Sequence, residues 1–175
     1  MPVHPNPNQD ELAELALKRV IASGAEYGDI RLLDSTTQTI RGEDRRIASI
    51  RETQDRGFGV RVLYHGAWGF AASSVLSLEE APRVAELAIE IAKGSASLAS
   101  EKVKLTDEPV QRDRVVTARR IDPFAVALEN KTALLLETME YVHRQAGIVR
   151  SSTNLWASRD RKLFVSTEGS RLEFD

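Results

Sequence analysis

The stretch Arg56-Gly57-Phe58-Gly59-Val60-Arg61-Val62-Leu63-Tyr64-His65-Gly66-Ala67-Trp68-Gly69-Phe70-Ala71-Ala72-Ser73 decides how the chain folds. β-Branched and aromatic residues flank His65-Gly66 on both sides, and this reads as two strands joined by a two-residue loop. Such a loop suits a type I′ turn, in which glycine accepts positive φ freely and histidine can adopt it. The loop then fixes the register. Leu63 faces Trp68, Arg61 faces Phe70 and Gly59 faces Ala72. On the opposite face Val62 meets Gly69, Val60 meets Ala71 and Phe58 meets Ser73. The second face sets large side chains against small ones, which suits packing beneath a helix. The first face gathers Arg61, Trp68 and Phe70. An arginine among aromatic rings stacks on them and offers its fork to a carboxylate or carbonyl. Two readings of this face stand side by side. Either the aromatics are core and Arg61 snorkels past them, or the three form a surface on which a peptide or partner domain lies.

Before the hairpin, Asp10 to Ser23 has helical periodicity, with Leu12, Leu15, Ala16 and Val20 near one face and Gly24 as a stop. From Tyr27 the character is β. Strands are expected at about Asp29–Ile40 and Arg45–Glu52, with turn-like breaks at Gly42-Glu43-Asp44 and Gln54-Asp55. With the hairpin they make an antiparallel meander, because the connections are short.

After the hairpin, Ser77 and Glu80 have capping-box spacing and open a helix. Ala81, Val84, Ala85, Ala88, Ile91 and Ala92 form its apolar stripe, and Gly94 is placed to end it. Ser95 to Arg120 is polar and irregular and reads as a connecting segment. Asp122-Pro123 supplies an N-cap and a proline for the first turn of a third helix, whose buried face is Leu128, Leu135, Met139 and Val142 and whose stop is Gly147. Strands return at about Ile148–Ala157, Lys162–Ser166 and Arg171–Phe174, with a turn at Glu168-Gly169-Ser170. A chain that stops inside a β pattern is expected to leave an unpaired strand edge, which points to a longer parent. The fold class is therefore α+β: an antiparallel β-meander with helices packed mainly on one face, followed by a long helix and a second set of strands. The expected organisation is a disordered lead-in at 1–9, a helix, meander and helix domain at 10–106, and a connecting segment, long helix and C-terminal strands at 107–175.

Bulk properties narrow the function. The 175 residues are 42% hydrophobic and 29% charged, the composition of a globular domain. A formal net charge of −2 gives no field for nucleic acid or an anionic membrane. The absence of cysteine excludes disulfides, thiolate nucleophiles and cysteine metal sites, and agrees with a cytoplasmic location. No apolar run approaches the roughly 20 residues of a membrane span. His4, His65 and His143 lack the helical spacing that pairs two metal ligands, so no metal site is expected among these residues. The serines at 73, 74, 151, 152, 166 and 170 lack a nucleophile elbow. Glu79-Glu80 and Asp107-Glu108 read as solvated faces, and Arg112, Arg114, Arg119 and Arg120 lack the interleaved aromatics of a nucleic-acid groove. Gly57-x-Gly59 lies within a strand and marks a bulge or close backbone approach, not a dinucleotide site. No catalytic residue is assigned.

Gly59-Val60-Arg61-Val62-Leu63-x-x-Gly66-Ala67-Trp68-Gly69-Phe70-Ala71 resembles the glycine-rich hairpin of the TldD/PmbA family, regarded as zinc metallopeptidases and known also as modulators of DNA gyrase. Further stretches agree in the same order: Tyr27-Gly28-Asp29-Ile30-Arg31 with the family's first strand, and Ala85 to Lys93 with the helix after the hairpin. Asp122-Pro123-Phe124 followed by Lys131 is similar to the start of the next segment. Phe164-Val165-Ser166-Thr167-Glu168-Gly169-Ser170 is similar to the family's F-x-x-S/T-E-G-S stretch. The likeness covers nearly all of 25–175. The family's His-Glu metal motif has no counterpart in this sequence. The resemblance therefore implies a non-catalytic N-terminal region of a zinc-bearing protein that pairs with a homologous subunit, as a homo- or heterodimer, around a peptide substrate. Arg61, Trp68 and Phe70 would contact the peptide or the partner. A free-standing binding module that uses a sheet edge and a gyrase-interacting regulator are the alternatives.

Overall fold

The computed structural model describes residues 7–175. In chain order these form helix α1 (Pro7–Ala22), strands β1 (Tyr27–Glu43), β2 (Arg46–Tyr64) and β3 (Ala67–Ser73), helix α2 (Glu80–Leu98), strand β4 (Arg112–Val115), helix α3 (Leu128–His143), and strands β5 (Ser152–Ser166) and β6 (Arg171–Phe174). The strands join in one six-stranded sheet of order β3-β2-β1-β5-β6-β4. The class is α+β, as the sequence pattern implies. Of the lead-in expected at 1–9, the first six residues lie outside the described region, and the chain is already helical at Pro7.

The hairpin forms in the register its loop dictates. Leu63 pairs with Trp68, Arg61 with Phe70, Gly59 with Ala72, and Val62, Val60 and Phe58 with Gly69, Ala71 and Ser73. His65 and Gly66 both have positive φ, 47° and 79°, as a type I′ turn requires. Asp44 and Arg45 do the same between β1 and β2, at 45° and 66°.

By packing, the described residues form two compact units whose segments interleave: 7–34, 55–116 and 161–175 in one, 35–54 and 117–160 in the other. In the first unit α1 and α2 bury their apolar faces on the sheet, with Leu12, Ala16, Val20, Ile30, Val60, Val62 and Ala71 in one cluster with α2. The small face of the hairpin lies directly under that helix. A Cβ on Gly69 would strike the carbonyl of Ala88 and the backbone of Ala92, so only glycine permits this approach. In the second unit Leu135 and Met139 of α3, Ile40 and Ala157 are all buried, and the Met139 side chain fills the space a Cβ on Gly42 would need. Lys131 Nζ, also buried, donates to Gln38 Oε1 at 2.5 Å.

Several expectations are corrected. Gln54-Asp55 is not a turn, and the strands expected to end at Ala157 and to begin at Lys162 are one: β2 and β5 run through both stretches without a break. Both are polar stretches where a strand passes from one unit to the other, so the low β-propensity of Gln and Asp is overridden by the strand that continues on either side. Helix α2 runs past Gly94 to Leu98, since that glycine has helical backbone and open space around it. Its stripe includes Ile89, and Ile91 is exposed. Ser77 Oγ accepts from the Glu80 N–H at 3.2 Å, half of the expected capping box, while the Glu80 carboxylate instead takes Ser73 Oγ and Arg83. Asp122-Pro123 begins a turn, not a helix: Asp122 Oδ1 accepts from the Phe124 N–H at 2.9 Å, and α3 starts at Leu128. Leu128 is exposed, and Lys131 takes a place on the buried face. The 95–120 segment contains β4, which pairs parallel to β6. The Arg171–Phe174 strand is therefore flanked on both sides, and β4 and β3 are the sheet's edges.

Candidate functional site

The exposed face of the hairpin carries the residues singled out from the sequence, and the structure redistributes them. Arg61 lies with its guanidinium carbon 4.4 Å from the Trp68 ring centroid and 5.9 Å from that of Tyr27. Tyr27 and Trp68 meet edge to face at 5.9 Å. The arginine thus stacks on Trp68 and Tyr27. Phe70, directly opposite it in the ladder, turns over Gly59 instead, where an added Cβ would sit 2.8 Å from the ring, and stays 60% exposed.

The fork of Arg61 finds a carboxylate within the same unit. Its Nε and Nη2 donate to Asp29 Oδ2 at 2.8 and 2.7 Å, while Arg31 Nε donates to Oδ1 at 3.1 Å. Asp29 is 1% exposed, so its charge is tolerable only because it is paired. One carboxylate against two guanidiniums leaves a surplus positive charge in the cluster. Burial works against the Arg61 charge, but the hydrogen bonds and charges of Asp29 and Tyr27 more than offset it and raise its pKa. Burial, then the neighbouring Asp29 carboxylate, push the Tyr27 hydroxyl up to about 12, with Arg61 opposing.

This cluster forms one side of a cleft of about 250 Å³. Phe164, Ser166 and Leu172, from β5 and β6, also line it. They lie near Tyr27 because the end of β5 is tied to the start of β1: Gly28 N–H donates to Thr167 Oγ1 at 3.0 Å, and Thr167 N–H to Gly28 O at 2.8 Å. The remaining wall is the 105–111 stretch, with Leu105, Thr106, Glu108, Pro109 and Gln111. That stretch is pinned at both ends. Val103 N–H donates to Gly66 O at 2.8 Å, Arg171 N–H to Gln111 O at 2.8 Å, and Gln111 N–H to Ser170 Oγ at 3.0 Å. Ser166 is 4% exposed, yet its Oγ has no hydrogen-bond partner. Arg31 does not line the cleft but lies over Phe164, which does, 5.5 Å from the ring centroid.

Of the sequence candidates, Arg61 and Trp68 are brought together and Phe70 stands apart. Tyr27, Asp29 and Ser166 were not singled out. A period of two places Tyr27, Asp29 and Arg31 on one face of β1, and that alternation is the signal that could have found them. The described residues do not fit a zinc site, since no group of three or more His, Asp or Glu side chains is placed to hold a metal ion. His65 stands in the hairpin turn against Tyr64, His143 Nε2 lies 2.8 Å from Ser151 Oγ, and His4 is outside the described region. No helix among the described residues is long and apolar enough to cross a membrane.

Comparison with known proteins agrees with the fold and the hairpin. Residues 28–92 match the family model of PmbA/TldA metallopeptidase domain 1. A metalloprotease of Methanocaldococcus jannaschii is 29% identical over 150 residues, which are 85% of this chain and 33% of that protein. The chain thus spans about a third of the length of that relative. Among solved structures, a candidate modulator of DNA gyrase from Bacteroides thetaiotaomicron superposes with a TM-score of 0.75 at 14% identity, over 96% of this chain and 38% of that one. TldE from Thermococcus kodakarensis gives 0.63 at 15% identity, over 95% and 37%. At such identities the superpositions establish a shared fold.

Proposed function

Because this chain carries the N-terminal domain of the TldD/PmbA family, we propose that it serves as the non-catalytic N-terminal region of a metallopeptidase of that kind, and shapes the dimer surface or the peptide chamber. The observation that carries this is the match of residues 28–92 to domain 1, the segment that builds β1, the hairpin and α2. In this reading the zinc and the scissile chemistry belong to other parts of the protein, a homologous subunit and a peptide are the partners, and the compartment is the cytoplasm. Arg61, Trp68 and Phe70 supply contact. Support comes from Phe70, a large ring that lies over Gly59 and is left exposed, as an interface anchor is before its partner binds.

Zinc content and peptide cleavage, measured on residues 1–175 beside the longest product of the same gene, test the reading. Zinc and cleavage confined to the longer chain support it. Stoichiometric zinc or cleavage by residues 1–175 alone overturns it. Sedimentation of the longer protein with Phe70→Ala then asks whether that ring belongs to the subunit interface, in which case dimer dissociates at lower dilution.

A second reading draws on the sheet order. β4 and β3 each have a single neighbour, so either edge can accept a partner strand. This describes a free-standing binding module, and gyrase is the partner that the name of the Bacteroides neighbour suggests for a test. A stable, monodisperse 1–175 that captures a gyrase subunit, with no zinc in any product of the gene, would favour it.

A further inference from the structure

The cleft beside the hairpin has a feature that neither dimer formation nor a remote zinc explains. Ser166 keeps a buried hydroxyl without a partner, and native structures seldom leave such a group unsatisfied unless something else completes it. Around it the cleft is divided by chemistry. Leu105, Pro109, Phe164 and Leu172 make an apolar lining. Arg61 stands at one side, in a cluster whose two guanidiniums outnumber its single carboxylate. Glu108 and Glu168 line the cleft as well, and neither has an ion-pair partner among the described residues.

We propose that this cleft binds a small monocarboxylate bearing an apolar side chain, as in a free amino acid or the carboxyl-terminal residue of a peptide. The size fits: a cavity of about 150 Å³ accommodates benzene, and about 250 Å³ leaves room for a head group. The apolar side chain replaces water on the Phe164 and Leu172 side. The carboxylate takes hydrogen bonds from the Arg61 guanidinium and the Ser166 hydroxyl, which gives the orphan group its partner. The two unpaired glutamates repel a multiply charged anion such as phosphate and favour an ammonium, so a zwitterion suits the site best. The 103–111 stretch, pinned at Gly66 and at Ser170 and Arg171, holds the far wall in place. The inference shares Arg61 with the contact surface proposed above but needs neither Trp68 nor Phe70.

The test is titration of the 175-residue chain, followed by heteronuclear NMR, with phenylalanine, N-acetylphenylalanine, phenylalaninamide and inorganic phosphate. Phenylalanine should bind saturably and shift the signals of residues 27, 61 and 166. The amide, which lacks the carboxylate, should bind about tenfold more weakly or not at all. Phosphate should not compete. N-acetylphenylalanine separates the sources: if it binds, the site takes chain ends, and if it does not, the site takes free amino acids. Ser166→Ala should weaken binding about fivefold, the worth of one hydrogen bond, while melting at the same temperature or higher, because it removes an unsatisfied buried hydroxyl. Phe70→Ala should leave binding unchanged, which keeps failure of this inference distinct from failure of the interface reading. Absence of saturable binding by phenylalanine, equal binding of the amide, or full affinity in Ser166→Ala overturns the proposal.

Discussion

Asp29 is the residue on which the site turns. Its carboxylate is buried and holds two guanidiniums, so Asp29→Asn would leave Arg61 and Arg31 without a counter-charge on the inner side. The half-exposed Arg61 can still reach water, which moderates the loss to about 2–3 kcal/mol, below the full cost of breaking a buried pair. Urea denaturation checks this, and a change within about 0.5 kcal/mol, ordinary for a surface substitution, would show that the cluster carries no stability. Tyr27 makes a pH prediction. Its hydroxyl titrates at about 12 in the folded chain against an ordinary 10, so folding favours the protonated phenol. That contribution is complete below pH 10 and is lost as pH rises from 10 to about 12. Tyr27→Phe should remove the phenolate step near pH 12 from the absorbance titration and flatten the fall in stability over that window. Half of this site was legible in the sequence. Arg61 and Trp68 share a hairpin with a two-residue loop, and such a loop leaves no freedom of register. Alternation along β1 puts Tyr27 and Asp29 on one face, but their meeting with Arg61 was not legible, because it comes only through the pairing of β1 with β2, across a 32-residue separation of Asp29 from Arg61.

At the scale of elements, two glycines near one helix make opposite predictions. Gly69 of β3 lies against the backbone of α2, so Gly69→Ala must push the helix from the sheet, at a cost of about 2–3 kcal/mol from overpacking. Gly94 sits inside α2 with nothing near its missing Cβ, so Gly94→Ala should stabilise by about 0.5–1 kcal/mol. Midpoints of chemical denaturation compare the two, and equal shifts would contradict the close packing of helix on hairpin. The same contrast explains why the sequence misplaced the end of α2. Glycine stops a helix when it adopts positive φ, and Gly94 does not, whereas Gly24 at 75° does follow the end of α1. β4 escaped notice for a different reason. Arg112-Asp113-Arg114-Val115 is exposed at every position, so it has no alternation to read, and its strand character comes from backbone bonding to β6 alone. Asp122-Pro123 shows the ambiguity of one signal, since an aspartate that caps a helix also closes an Asx turn, and here it does the second.

At the scale of the whole molecule, the chain passes between the two units four times, and three of those passages run through an unbroken strand. Three passages fall within strands, at 34/35 in β1, 54/55 in β2 and 160/161 in β5, and the fourth follows β4 at 116/117. Two of them coincide with polar stretches where the sequence suggests an interruption, the turn-like Gln54-Asp55 and the gap between strands ending at Ala157 and beginning at Lys162. At these two passages the sequence marks where the cores change, but alternation of polar and apolar residues cannot say whether the backbone breaks there or continues. Separate cores imply separate local stabilities. Met139 is fully buried in the second unit, packed over Gly42, and Met139→Ala removes about 2–5 kcal/mol of burial and packing there. Hydrogen exchange read by mass spectrometry should then lose protection in α3, in residues 35–43 of β1 and in residues 152–160 of β5. Protection of α2 and the hairpin, whose core is built from Val60, Val62, Ala85 and Ala88, should persist. A loss shared evenly by both sets of peptides would mean that the two cores melt as one. The through-running strands, not the packing around them, would then set the cooperativity of the molecule.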